Sequence, residues 1–102
     1  MDAAFGFLLA EAGLPLPETE FKFLANRKFR LDYAWPERKL ALEQEGGVWK
    51  QGRHTRGSGF IKDMEKYNLL AASGWRLLRC TPDQLHTTST IELIAAALAY
   101  GR

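Results

Sequence analysis

One cysteine, two histidines and four prolines in 102 residues exclude several protein classes at the outset. Cys80 cannot form an intramolecular disulfide or a cysteine cluster for a metal, and within "WRLLRCT" it reads as a buried thiol. No apolar run approaches the ~20 residues that span a bilayer, so no membrane association is expected. Met1 leads into Asp2 without a basic n-region, the pattern of a cytoplasmic protein, here of a bacterial or phage-infected cell. Repeats, low-complexity tracts and long linkers are absent. With 46% apolar residues the chain can build one core and not two, so residues 1–102 are expected to form a single domain.

The net charge of +2 is unevenly spread. Lys50, Arg53, His54, Arg56, Lys62 and Lys66 stand against Asp63 and Glu65, with glycines at 46, 47, 52, 57 and 59. This is a basic, glycine-rich loop feeding a helix. It suits a polyanion such as nucleic acid, and a merely solvated loop is the other reading.

Local signals predict the order α-β-β-β-α-β-α. Phe5, Leu8, Leu9 and Ala12 fall at helical spacing over residues 3–12, ended by Gly13, Pro15 and Pro17. "TEFKFLA" alternates Phe21 and Phe23 against Glu20, Lys22 and Leu24, and "NRK" turns it into "FRLDYAW" as a hairpin. After Pro36, "RKLALEQE" is a third strand that ends at Gly46-Gly47. Phe60, Met64, Tyr67, Leu70 and Ala71 mark the inner face of a helix over 59–73, with Gly74 at its cap. "WRLLRCT" is a fourth strand, and "TIELIAAALAY" is a helix opening at Ser89 or Thr90 with Glu92 in its first turn. If strands three and four are parallel and adjacent, they form a right-handed crossover unit with the long helix between them, giving a mixed α/β sheet flanked by helices.

Strand parity gathers acids. In "FRLDYA", Phe29, Leu31 and Tyr33 share one face and Asp32 points to the other; in "KLALEQE", Glu43 and Glu45 share a face, about 6.6 Å apart. If these strands are neighbours, three carboxylates converge. Two like charges at about 6 Å repel by roughly 3 kcal/mol at an effective dielectric near 20, so a counter-charge is required. Either Arg30 or a lysine supplies it, or a divalent cation does, held by the hard oxygens that Mg²⁺ and Mn²⁺ prefer. A magnesium site beside a basic loop points to phosphodiester chemistry.

The stretch "FRLDYAWPERKLALEQEGG", with "RH" and "DMEKYNLLAASGWRLLRCT" after it, resembles the PD-(D/E)XK nuclease superfamily. Within it, residues 18–85 look most like the small domains related to very-short-patch-repair endonucleases and to compact phage or bacterial nucleases and resolvases. The resemblance implies a restriction-endonuclease-like fold and a Mg²⁺-dependent endonuclease of DNA repair or recombination, of Holliday-junction-resolving or nicking type, working as a homodimer. Asp32 matches the aspartate of the motif, with Leu31 in place of its proline, and Glu43 matches the first acid; both would hold the metal. Glu45 stands where the motif has lysine and would be a third ligand, the ammonium then coming from Lys62 or Lys66. Glu20, opposite in parity to Phe21 and Phe23, is a further possible acid, as is Glu11.

Several residues keep two readings. His54 is either a proton-transfer group or a phosphate contact. Trp35 and Trp49 either stack on bases or pack; Trp75 is expected in the core, and His86 is read as structural. Lys50, Arg53, His54, Arg56 and Trp49 are the expected DNA contacts. A nuclease fold that binds DNA without cutting, and a module held only by salt bridges, are the alternatives to an active endonuclease.

Overall fold

A computed structural model describes residues 1–46 and 58–101. The expected order is present: α1 (Ala3–Glu11), β1 (Glu18–Lys22), β2 (Arg30–Trp35), β3 (Leu40–Gln44), α2 (Ser58–Ala72), β4 (Arg76–Cys80) and α3 (Thr88–Ala99). Short 3-10 turns occupy Pro36–Arg38 and Pro82–His86. The strands form one sheet in the order β1-β2-β3-β4, antiparallel except for the parallel pair β3–β4. The protein is therefore an α/β fold with a four-stranded mixed sheet and three helices. Among the described residues no helix is long and apolar enough to cross a membrane.

The helix ends follow from local chemistry. Asp2 caps α1 by accepting from the Phe5 amide at 3.0 Å. Two helices end in the same motif: Leu14 N–H returns to Leu9 C=O (2.9 Å) past Gly13, and Trp75 N–H returns to Leu70 C=O (3.2 Å) past Gly74. Gly13 (φ +72°) and Gly74 (φ +84°) take the left-handed conformation this closure needs. α3 opens one residue earlier than expected, at Thr88, because the Thr87 hydroxyl accepts from the Thr90 amide; Glu92 thus lies beyond the first turn.

Both sheet faces are covered. Phe5 and Leu9 of α1 and Ile91, Ile94 and Leu98 of α3 pack on Tyr33, Trp35, Leu40, Leu42 and Cys80. On the other face Leu70 of α2 packs on Leu31, Ala34 and Ala41, flanked by Phe21, Phe23 and Trp75. β3 is consequently buried from Leu40 to Glu43, as a strand covered on both sides must be. Trp75, expected in the core, is partly buried at its edge, beside the rings of Phe21 and Phe23. Trp35 is packed too: it is buried and donates from Nε1 to the Pro15 carbonyl at 2.8 Å.

Two expectations are corrected. Leu31 and Tyr33 do not share a face, for Leu31 lies under α2 and Tyr33 under α1 and α3. The alternation breaks at Asp32, where the β2–β3 ladder gives way to side-chain bonds and where Glu20, on the neighbouring strand, takes φ +49°. Phe60 and Met64 are not on a buried face either; they are 50% and 46% exposed. A 15-residue helix runs roughly 22 Å and a five-residue strand roughly 17 Å, so the first turns of α2 extend beyond the sheet.

Candidate functional site

Glu43 sits near the end of β3 and is only 4% exposed. A carboxylate so placed must be satisfied by donors. Its Oε1 accepts from Lys66 Nζ at 2.7 Å and from Tyr67 Oη at 2.8 Å, and its Oε2 accepts from the Asp32 amide at 2.6 Å. Lys66 and Tyr67 are consecutive on α2, at the height where that helix first becomes partly buried.

Asp32 faces Glu43 across the strands. Its Oδ2 accepts from the Gln44 amide at 2.8 Å, so each acid bonds the backbone of the opposite strand and together they replace the ladder there. Partial burial pushes the Asp32 carboxyl above its usual range; the Gln44 amide opposes this, and the charges of Glu43 and Glu20 add to it. Asp32, Glu20, Thr19, Tyr33, Gln44 and Met1 line a cleft of about 240 Å³.

Glu45 belongs to the same end of the sheet, where its amide donates to the Cys80 carbonyl at 2.8 Å. Arg79 Nε stands 3.2 Å from Glu45 Oε2 without hydrogen-bond alignment, and that oxygen is buried with no hydrogen-bond partner among the described residues. The Arg79 guanidinium lies 4.8 Å from the Tyr67 ring centre and Lys66 Nζ lies 5.2 Å from it. Tyr67 is thus flanked by two cations while its hydroxyl bonds a carboxylate. Burial first, and then Glu43, push its phenol well above the ordinary value.

The structure therefore brings Asp32, Glu43, Glu45 and Lys66 together, with Glu20 near enough to Asp32 for their charges to interact. The counter-charge that faces Glu43 is the Lys66 ammonium, not Arg30, which reaches the Glu20 carbonyl at 3.4 Å. Among the described residues no group of three or more His, Cys, Asp or Glu side chains is arranged to hold a metal ion. Lys62, one turn before Lys66, lines a different cleft with Asn26–Phe29 and Glu65. Glu11 is exposed at the end of α1. His86 pairs with Asp2 at 3.0 Å, matching its structural reading. Lys50, Arg53, His54, Arg56 and Trp49 lie outside the described residues.

Tyr67 and Arg79 join the site without a sequence motif of their own. Spacing alone places Tyr67 on the apolar stripe of the helix, yet a partly buried tyrosine hydroxyl also needs a polar partner. Arg79 pairs directly with Glu43 in the parallel register of β3 and β4, which no local pattern announces.

No known protein-family profile matches the sequence, and no solved structure matches it. The chain is 26% identical over 87 residues to two Mycobacterium tuberculosis proteins, "Uncharacterized protein Rv2248" of strain ATCC 25618 / H37Rv and "Uncharacterized protein MT2308" of strain CDC 1551 / Oshkosh. The similarity covers 83% of this chain and 31% of each relative, so the chain spans under a third of the length of these proteins.

Proposed function

We propose that this chain is a metal-dependent endonuclease that hydrolyses DNA phosphodiester bonds on a restriction-endonuclease-like sheet. The observation that carries the reading is Lys66 Nζ at 2.7 Å from Glu43 Oε1, beside Asp32. Two acids on adjacent strands with an ammonium next to them is the charge pattern of the PD-(D/E)XK motif. Its lysine here comes from α2 instead of position 45.

Carboxylate oxygens are the donors a hard divalent cation prefers, although the described acids do not stand as a three-ligand group before it binds. Asp32 and Glu20 share a cleft in which burial, and then the charges of Glu43 and Glu20, raise the Asp32 pKa, and Glu45 Oε2, 3.2 Å from Arg79 Nε, lacks a hydrogen bond among the described residues. Asp32 and Glu43 would hold Mg²⁺ or Mn²⁺, with Glu45 or Glu20 completing the set. An ion held there would supply positive charge to the scissile phosphate and a lowered pKa to the attacking water. Lys66 Nζ, held by Glu43, orients that water and adds positive charge near the phosphate. Tyr67 Oη fixes Glu43 Oε1 from a second direction. Cutting both strands of a four-way junction would take two copies, whereas nicking would take one.

A second reading is a nuclease fold that binds DNA without cutting. It is favoured by the saturation of Glu43, both of whose oxygens already accept hydrogen bonds. Incubation with supercoiled plasmid and with linear, flapped, mismatched and four-way DNA, in Mg²⁺ and in EDTA, separates the two. The endonuclease reading expects cleavage in Mg²⁺ only, abolished in Asp32→Asn and reduced at least about 100-fold in Lys66→Met, with DNA binding retained. Binding without cleavage selects the second reading, and no binding at all removes both.

A further inference from the structure

Among the described residues, two sets of cations differ in what they touch. At the start of β3 and β4, Lys39 donates to the Ser73 carbonyl, Arg76 to that of Ala97 and Arg38 to that of Tyr100, each at 2.8 Å. They terminate helices and are occupied. At the opposite end, where the β1–β2 hairpin turns beside α2, Lys28 and Lys62 have no hydrogen-bond or ion-pair partner among the described residues. They line a cleft of about 430 Å³ with Asn26, Arg27, Phe29 and Glu65.

That cleft has a built wall. Arg27 Nη2 is held by Glu65 Oε2 at 2.7 Å and its guanidinium lies 4.7 Å from the Phe29 ring centre. The contact to Glu65 leaves most of the five guanidinium N–H donors available. Three cations face one carboxylate, so the lining is net positive. Lys62 also lies four residues before Lys66 on the same face of α2, about one 5.4 Å turn away.

We propose that this hairpin–α2 cleft seats the phosphate backbone of the DNA strand that passes Lys66, with Lys28, Lys62 and Arg27 as its contacts. Lys62 is then a substrate-binding residue and not the catalytic lysine. The proposal rests on the nuclease-type reading above. A phosphate run satisfies what the cleft offers: ammonium groups without partners among the described residues, a guanidinium held in place by Glu65, and a position one helical turn from Lys66.

Fluorescence anisotropy of a labelled duplex, in EDTA across a salt series, tests this for the parent, Lys28→Ala/Lys62→Ala, Lys28→Arg/Lys62→Arg and Lys39→Gln. The melting temperature of each variant verifies that it is folded. The double alanine variant is expected to bind more weakly at every salt concentration. Its slope of log affinity against log salt should be shallower by about 1.8, or roughly 0.9 for each lost phosphate contact. The double arginine variant and Lys39→Gln should keep the parent slope. A parent that binds no DNA overturns the nuclease-type reading and this proposal with it. A parent that binds while the double alanine variant keeps its slope overturns the cleft alone, as does an equal loss of slope in Lys39→Gln.

Discussion

Glu43 is tolerated in the sheet because three donors converge on its two oxygens, and this makes it sensitive to change. Its side chain is 6% exposed and that of Lys66 15%, so the pair is largely shielded from water. Removing one member leaves the other charge poorly solvated, which in buried pairs costs about 3 kcal/mol or more. Glu43→Ala should therefore lower stability by about 3 kcal/mol in urea denaturation, with Tyr67 Oη losing its partner as well. Glu43→Leu combined with Lys66→Met should recover much of that loss, because no unpaired charge remains. A loss below about 0.5 kcal/mol for Glu43→Ala would show that the ion pair does not anchor α2 to the sheet.

Among the elements, α2 does most to assemble the site, and its two ends are specified differently. The C-terminal end closes through Gly74 at φ +84°, which brings the Trp75 amide back to Leu70 and lets β4 start under the helix. A Cβ there meets nothing closer than Lys39 Nζ at 3.7 Å, so the cost of Gly74→Ala is conformational, about 1 kcal/mol. Gly59 lies in the first turn, with open space around the position of a Cβ. Gly59→Ala should stabilise the protein by about 0.5 kcal/mol through the unfolded chain. Calorimetry should show melting temperatures moving in opposite directions, by a few degrees each for a protein of this size. Equal shifts of one sign would refute the cap assignment.

At the scale of the whole molecule, Asp32, Glu43 and Glu45 lie at one end of the sheet and the helix-capping Arg38, Lys39 and Arg76 at the other. Asp32 reports on the acidic end. Its folded-state pKa is raised, so the folded protein holds that proton more tightly than the unfolded chain does. The associated stability is fully present below the ordinary aspartate value of about 3.9 and is lost as pH rises through the raised value. At neutral pH the ionised carboxyl thus works against the fold. In EDTA, Asp32→Asn should melt above the parent at pH 7, since its amide oxygen can still accept from Gln44, and the gap should close below about pH 4. Millimolar Mg²⁺ should raise the parent's melting temperature and have little effect on the variant. A variant less stable than the parent in EDTA at pH 7 would favour a purely structural salt-bridge role for the acids.

Much of this organisation is carried by the chain locally. Gly13, Pro15, Pro36, Gly74 and Pro82 punctuate it where elements end, and the apolar spacing between them determines the α-β-β-β-α-β-α order. The approach of Asp32 to Glu43 was legible for a similar reason, since neighbouring strands must bring those positions together. The break of parity at Asp32 was not legible, because it depends on two carboxylates replacing ladder bonds between strands. Nor could the choice between Lys62 and Lys66 be read, for residues four apart share a helix face. What separates them is the axial position of α2 over the sheet, set by Leu70 packing against Leu31, Ala34 and Ala41. That packing puts Lys66 and Tyr67 over Glu43 and carries Lys62 past the sheet end to the hairpin. Local conformational preference thus determined the elements, whereas the tertiary burial of one leucine decided which cation meets the buried acid.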